Sequence, residues 1–394
     1  MTRPTPLQGV RVLDLSRVLA GPWSGQLLAD YGADVIKVER PESGDDTREW
    51  GPPWWGDAAD RMSAYYLSAN RGKRSIAIDI ATTSGAALVK QIARHADVLI
   101  ENYKVGQLAR YGLDPTTLRE LNPRLIYCSI TGYGQDGPYA PAAGYDFAIQ
   151  ATGGLMSITG EKDGAPGAGP QKVGVAVADL STGMYATTAI LAALHERHRT
   201  GRGRWIDAAL LDTQLAMLAN QASNYLVGGK TPKRMGNAHV NVVPYQVFKT
   251  KDGHIVLAVG NDGQFQRFCK LAGREAVGTD PKYATNALRI QHRDELADLI
   301  AQWMLERGTG EWTALLEHNA VPCAPILELP EVFHHPQVVA RGMRIHNAGM
   351  PMVAAPMRLD GERAVSTAPA PRLNEHGESI RAALARSDDW PGAQ

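Results

Sequence analysis

Residues 9–15, with Val10, Val12, Leu13 and Leu15 apolar, and residues 34–39 (Asp-Val-Ile-Lys-Val-Glu) carry the short apolar runs of buried strands. Residues 75–80, 97–101 and 125–130 repeat the pattern, while 22–31 and 85–95 take on helical spacing. Strands alternating with helices predict an α/β fold with a parallel, doubly wound sheet. Ligands of such sheets bind beyond the carboxyl ends of the strands, near the point where strand order reverses. The loops after Leu15, Glu39, Glu101 and Ile130 are therefore the places to look for a site.

Further along, residues 173–183 read Val-Gly-Val-Ala-Val-Ala-Asp-Leu-Ser-Thr-Gly. Small and apolar residues deliver one carboxylate, Asp179, to the start of a buried helix that runs through His195. Taken alone, this is an N-cap, because Asp accepts a bond from a free N–H of the first turn. The glycine- and proline-containing segment 160–171 just before it reads as a mobile loop or a plain surface connection. Near Asn224 the character changes. Residues 228–244 are polar and resist assignment, 245–259 form a hairpin about Lys251-Asp252-Gly253, and Leu296, Leu299, Ile300, Trp303 and Met304 mark an amphipathic helix. This predicts a smaller α+β domain over 225–329, between 1–224 and 330–394 of a large domain, with only the last few residues frayed.

Composition narrows the class. The 394 residues are 44% hydrophobic and 21% charged, enough for two domains or one with an insertion. Lys+Arg and Asp+Glu both number 41, so no net field draws in nucleic acid or an anionic membrane, although a local basic pocket stays open. Cys128, Cys269 and Cys323 are widely spaced and form no CxxC pair, which predicts reduced thiols in a cytoplasmic setting rather than disulfides or a zinc site. The opening Met-Thr-Arg-Pro-Thr-Pro-Leu-Gln-Gly lacks a signal-type apolar stretch, and no later run reads as a membrane span.

Gly132, Gly134 and Gly137 spell the dinucleotide fingerprint, yet that motif needs a helix opening at its third glycine. Pro138 and Pro141 follow instead, so a nicotinamide oxidoreductase is disfavoured and a turn approached by another chain or a ligand is preferred. His195-Glu-Arg-His198 has the wrong spacing for a zinc helix, and His334-His335 has no companion ligands; no metal is expected. Arg17, Arg40, Arg71, Lys73, Arg74 and Arg110 recur near strand ends. Singly they are surface charges; converging, they suit a phosphate-bearing ligand.

Eight stretches in order carry a resemblance: Leu7-Gln-Gly-Val-Arg-Val-Leu-Asp-Leu15, Ala20-Gly-Pro22, Gly32-Ala-Asp-Val-Ile-Lys-Val-Glu-Arg40, Asn70-Arg-Gly-Lys-Arg-Ser75, Glu101-Asn-Tyr103, Ser129-Ile-Thr-Gly-Tyr-Gly-Gln135, Ala143-Gly-Tyr-Asp146 and Ala178-Asp-Leu180. Over nearly its whole length the chain resembles the class III coenzyme A-transferases, the CaiB/BaiF family. Asn224-Tyr-Leu, Arg234-Met-Gly-Asn-Ala-His239 and residues 243–253 narrow the likeness to succinyl-CoA:glutarate CoA-transferases.

The resemblance implies a Rossmann-like large domain, a small domain, and two chains interlocked as a ring-like homodimer. It implies acyl-CoA and small carboxylic acids as substrates, with no permanently bound cofactor, metal or ATP. Asp179 would be the nucleophile. CoA would run along Leu19, Ala20, Arg40, Ile78, Ala81, Asn102, Tyr103 and Arg110, with Arg74 from the basic set, and Tyr145 and Asp146 would lie close to the thioester. Leu19 stands where formyl-CoA transferases are often polar, Ala143 replaces their basic residue, and Gly236-Asn-Ala-His-Val-Asn241 stands in place of their tetraglycine loop. Formate and oxalate are therefore disfavoured as acceptors, and glutarate or a related dicarboxylate is expected. Arg234 or His239 would meet the distal carboxylate, or serve the structure only. A 2-methylacyl-CoA racemase of the same fold needs a histidine where this chain has Tyr145, a phenol of pKa about 10 and a poor base at neutral pH. A catalytically silent CoA-binding protein is the remaining alternative.

Overall fold

The computed structural model describes residues 5–58 and 60–392; residues 1–4, 59, 393 and 394 lie outside the described residues, and so does part of the C-terminal segment expected to fray. Six strands, β1 (Arg11–Asp14), β2 (Asp34–Glu39), β3 (Lys73–Ala77), β4 (Val98–Glu101), β5 (Ile126–Thr131) and β6 (Trp205–Ala209), line up as β3-β2-β1-β4-β5-β6. Every pairing is parallel, with Val12 opposite Val35 on one side and Val98 on the other. A parallel sheet is covered on both faces, so its strands are apolar runs rather than alternating ones. Val12, Leu13, Val35, Ile36, Leu99 and Ile100 are accordingly fully buried. From β1 the order runs outward one way and then the other, which puts the reversal between β1 and β4.

Two strands depart from the sequence pattern. β3 begins at Lys73 rather than at 75, because the Lys73 side chain is buried and bonded to Asp14, a core position that a hydrophobicity pattern passes over. β6 is absent from the pattern altogether. It is an edge strand whose Trp205 is 45% exposed, and it runs directly into a helix.

The helices that bear on the site are α1 (Ala20–Asp30), α2 (Ala64–Ala69), α3 (Thr83–His95), α4 (Asp146–Thr152), α5 (Val177–Thr200), α6 (Leu210–Met217) and α7 (Ala219–Gly228). Local signals account for α3. The Thr82 hydroxyl accepts the Gly85 N–H at 3.0 Å, Ala86, Val89, Ile92 and Ala93 face the core, and Arg94 and His95 suit the negative end of the helix. α5 is long and apolar enough in composition to cross a membrane, yet half of its apolar window is buried, and Ala186, Ile190, Ala193 and Leu194 pack into the core beneath the sheet. It is a core helix, and it runs to Thr200, beyond the expected end at His195. α1 and α5 meet where a Cβ on Gly183 would lie 2.6 Å from the Ala20 carbonyl oxygen.

The chain divides into two compact units. One runs to Leu155, takes in Lys172–Gly229 and resumes at Pro336; the other is Met156–Gln171 with Lys230–His335. The boundaries expected at 225 and 329 thus shift by a few residues, and the 156–171 segment, expected in the large domain, belongs to the smaller unit. There β7 (Tyr245–Lys249), β8 (His254–Ala258) and β9 (Cys323–Pro325) form an antiparallel sheet in the order β9-β8-β7. Helices α8 (Asp262–Leu271), α9 (Arg293–Met304) and α10 (Thr309–His318) add Phe265, Phe268, Leu296, Ile300 and Trp312 to its core. The 156–171 segment is anchored inside this unit, through Asp163 to Arg234 and Lys162 to Asp294.

Buried charges hold the turn after β1. Asp14 accepts the Ser16 N–H at 2.9 Å and the Lys73 ammonium at 2.8 Å. Lys37 donates to the Ser16 carbonyl at 2.8 Å and pairs with Asp45 at 2.9 Å; Asp45 in turn accepts the Val18 N–H at 3.2 Å. Burial works against the Asp45 charge, but Lys37 and the Thr47 N–H outweigh it and bring its pKa down to about 2. A carboxyl lowered in this way adds stability above its unfolded pKa and loses it as pH falls through the folded one. Asp45→Asn should therefore lower the melting temperature at neutral pH, by the equivalent of about 3 kcal/mol for a broken buried pair. That deficit should shrink as pH drops from about 4 to about 2. A melting curve unchanged at neutral pH would show that the pair does not hold the turn.

Candidate active site

The strand order predicts a crevice where β1 and β4 part, and a cleft of about 90 Å³ lies there. Leu19, Ala20, Asn102, Gly132, Tyr145 and Asp179 line it. Asn102 bridges the crevice, accepting the Arg17 N–H at 2.9 Å and donating to the Arg17 carbonyl at 2.6 Å. Between Arg17 and Leu19, Val18 holds φ at 70°. A β-branched residue is strained in the left-handed region and stays there only where its surroundings over-determine it. The Asn102 bridge and the Asp45 carboxylate supply that constraint.

The other wall depends on a contact between two backbones. A Cβ on Gly132 would lie 2.4 Å from the Gly144 Cα, and one on Gly144 2.3 Å from the Gly132 Cα. The glycine motif thus serves the crossing of two segments of one chain; β5 enters it and no helix opens at Gly137. Immediately after Gly144 come Tyr145, 69% exposed, and Asp146 at the start of α4.

Asp179 is not an N-cap, the role its local sequence taken alone would give it. Ala176 holds that position without a side-chain bond, and Asp179 sits within the first turn of α5. The missing cap comes from Asp146, whose Oδ1 accepts the N–H of Ala178 at 2.8 Å and of Asp179 at 3.4 Å. Burial first, and then the negative charge of Asp146, push the Asp179 pKa up to about 7. Tyr65 of α2 stands in the same field: burial, then Asp179 and Asp146, raise its phenol to about 12. Its ring meets Trp50 edge-on at 5.1 Å.

Leu19, Ala20, Asn102, Tyr145 and Asp179 therefore share one cleft, with Asp146 bonded at its edge. Arg40, Ile78, Ala81, Tyr103 and Arg110 follow the carboxyl ends of β2, β3 and β4. Arg40 and Arg17 both reach Asp46, leaving one positive charge in excess at a part-exposed rim, and Arg17 also lies over the Tyr103 ring at 5.4 Å. Ile78 is core and Ala81 exposed. Arg110 is exposed and makes no ion pair among the described residues.

Three of the basic residues do not join the rim. Because β3 starts at Lys73, Arg74 lies near the strand's amino end and grips Asp34 with bonds of 2.9 and 2.7 Å at the opposite sheet edge. Arg71 is buried on Asp30, and Lys73 on Asp14. In the smaller unit Arg234 pairs with Asp163, while His239 accepts the Asn241 N–H at 3.1 Å and leans on Tyr245.

Several contributors escape a sequence reading. Tyr65 and the Lys37–Asp45 pair carry no local signal. Gln150 does: it stands four residues after Asp146, the spacing of a helical hydrogen-bonded pair, and donates to Asp146 at 2.7 Å. Glu101, buried beside Ser129 and bonded by the Tyr103 N–H, has its pKa pushed up to about 7 by burial.

A doubly wound α/β protein with a poorly solvated aspartate lining its strand-reversal cleft is the class these features define. The chain belongs to CoA-transferase family III, whose family model matches residues 7–377, and it is accordingly a class III CoA-transferase. It is similar to the succinate–glutarate CoA-transferase of Agrobacterium fabrum, with 51% identity covering 97% of this chain and 96% of that protein. It also resembles the succinyl-CoA:glutarate CoA-transferase of Homo sapiens, with 44% identity covering 99% and 88%. A crystal structure of a CaiB/BaiF family protein from Brucella suis superposes with a TM-score of 0.87 at 49% identity, covering 97% of this chain and all of that one.

A carboxyl whose folded pKa is raised contributes stability below its unfolded value and loses it as pH rises through the folded one. Asp179→Asn is thus expected to melt above the wild type at pH 8, with the gap closing toward about pH 4. Parallel melting curves at all pH values would mean that Asp179 is well solvated.

Proposed function

We propose that the protein moves coenzyme A from succinyl-CoA to glutarate or a closely related dicarboxylate, with Asp179 as the nucleophile. The observation that carries this reading is the position of Asp179, in one cleft with Leu19, Ala20 and Asn102 at the strand reversal. The substrate pair rests on what the Agrobacterium and human relatives are named for.

The Asp179 carboxylate adds to the donor thioester carbonyl and expels CoA thiolate, leaving a mixed anhydride. The thiolate then attacks the aspartyl carbonyl, releases succinate and leaves an aspartyl-CoA thioester. Glutarate attacks that thioester and expels CoA thiolate, leaving an aspartyl–glutaryl anhydride; the thiolate then attacks its glutaryl carbonyl, giving glutaryl-CoA and releasing the Asp179 carboxylate. Each step exchanges one acyl bond for another, so the overall energy changes little and the demand on the protein is placement. A carboxylate is a weak nucleophile in water, and partial burial makes it a stronger one. With a pKa of about 7, roughly half of it is ionised at neutral pH.

The same reading takes the protein as a homodimer of interlocked chains. The outward face of α7, where Leu226 is 78% and Val227 90% exposed, supports it as apolar surface in need of cover. Cytoplasmic residence is supported by three cysteines without disulfides.

Incubation with succinyl-CoA and glutarate in heavy water should yield glutaryl-CoA by mass spectrometry. Asp179→Ala should fold, retain CoA and lose turnover by about 10³-fold or more. With a branched acyl-CoA added to the mixture, deuterium at its α-carbon without a new thioester would assign a racemase instead. An active alanine variant would remove Asp179 from the chemistry.

A further inference from the structure

Gln150 is fully buried on α4, and every polar atom of its amide is engaged. Its Nε2 donates to Asp146 Oδ2 at 2.7 Å and reaches the Val175 carbonyl at 3.4 Å. Its Oε1 accepts the Val173 N–H at 2.9 Å. The amide therefore has one orientation only, with the donor facing the carboxylate and the acceptor facing the N–H. Gln150 thus joins two things that α5 does not supply for itself. One is the irregular segment 173–175 that leads into the helix; the other is Asp146, the external cap of its first turn. Asp146 has one oxygen on Gln150 and the other on the N–H groups of Ala178 and Asp179.

We infer that Gln150 is a positioning residue for the transfer reaction: through Asp146 it sets the direction of the Asp179 carboxylate in the cleft without touching substrate. The inference rests on the nucleophilic role proposed for Asp179. An amide suits this place better than a carboxyl or an apolar group. A second carboxylate would set oxygen against oxygen at Asp146, and an apolar side chain would strand both the Asp146 oxygen and the Val173 N–H in a buried site. Geometry at the reacting atom is where such support shows, since a displacement of about 1 Å can cost about 10²-fold in rate.

Two variants test it. Gln150→Met keeps the length and removes both bonds. Gln150→Glu keeps an acceptor for the Val173 N–H and replaces the donor to Asp146 by an acid that donates only when protonated. For Gln150→Met the expected result is a kcat lower by about 10²-fold with the KM for acyl-CoA within about twofold of wild type. Amide exchange in a peptide spanning 173–180 should also be faster. For Gln150→Glu, the rate relative to wild type at the same pH should recover as pH falls, because the protonated acid restores the bond. Equal kcat in either variant across pH would overturn the inference. So would a rise in KM that accounts for the whole loss, or lowered melting with normal kcat per folded molecule, since each describes a merely structural residue. If Gln150→Met does not fold, the pH-dependent ratio for Gln150→Glu decides alone. A wild type that transfers no CoA would remove the proposed function instead, while the exchange measurement would still report whether Gln150 holds the first turn of α5.

Discussion

The turn after β1 exists because two lysines are buried beneath it. Lys73 and Lys37, on β3 and β2, bring Asp14 and Asp45 to opposite sides of one short segment and tie the Ser16 carbonyl and the Val18 N–H between them. Charges this deep cost several kcal/mol each in lost hydration, and only a closed set of opposite charges and backbone bonds offsets that. What results is specificity of shape. Val18 is kept in a conformation it would otherwise leave, and Leu19 and Ala20 are thereby presented to the cleft. With the network broken, the strands could still pair, but the cleft would lose one wall.

Much of this architecture could be read from the chain. Strands at 34–39 and near 9–15, 97–101 and 125–130 are apolar enough to declare themselves, and the rule that ligands sit beyond strand ends led to loops that line a cleft. Asp179 was legible for the same reason, as a lone carboxylate after a run of small apolar residues. Charge in the core was not. A pattern that treats lysine and arginine as surface places Lys73, Arg71 and Arg74 with the phosphate-facing residues. Burial on Asp14 and Asp30 removes the first two, and an ion pair with Asp34 at the far edge removes the third. Long-range capping was invisible as well, since Asp146 and α5 are 31 residues apart in sequence, counted from Asp146 to Val177.

Asp179 and Asp146 oppose each other electrostatically while cooperating geometrically. Asp146 orders the first turn of α5 by accepting its N–H groups, and the same negative charge makes the neighbouring carboxylate harder to ionise. A helix amino terminus favours an anion by about 0.3–1 kcal/mol, too little to cancel burial and a like charge at close range. The balance leaves a carboxylate near neutrality, neither fully hydrated nor extinguished. It is a compromise between order and charge.

The crossing of Gly132 and Gly144 has a consequence for how such a chain can change over evolutionary time. Most packing contacts are negotiable: when one side chain grows, a neighbour shrinks, and families drift along such exchanges. Here the contact is backbone against backbone, at separations no Cβ could tolerate. No side chain lies across the crossing that could give way, so neither position has a compensating substitution available to it. Drift at these two sites is closed off, and the segments bearing the glycine turn and Tyr145-Asp146 can only be inherited as a pair.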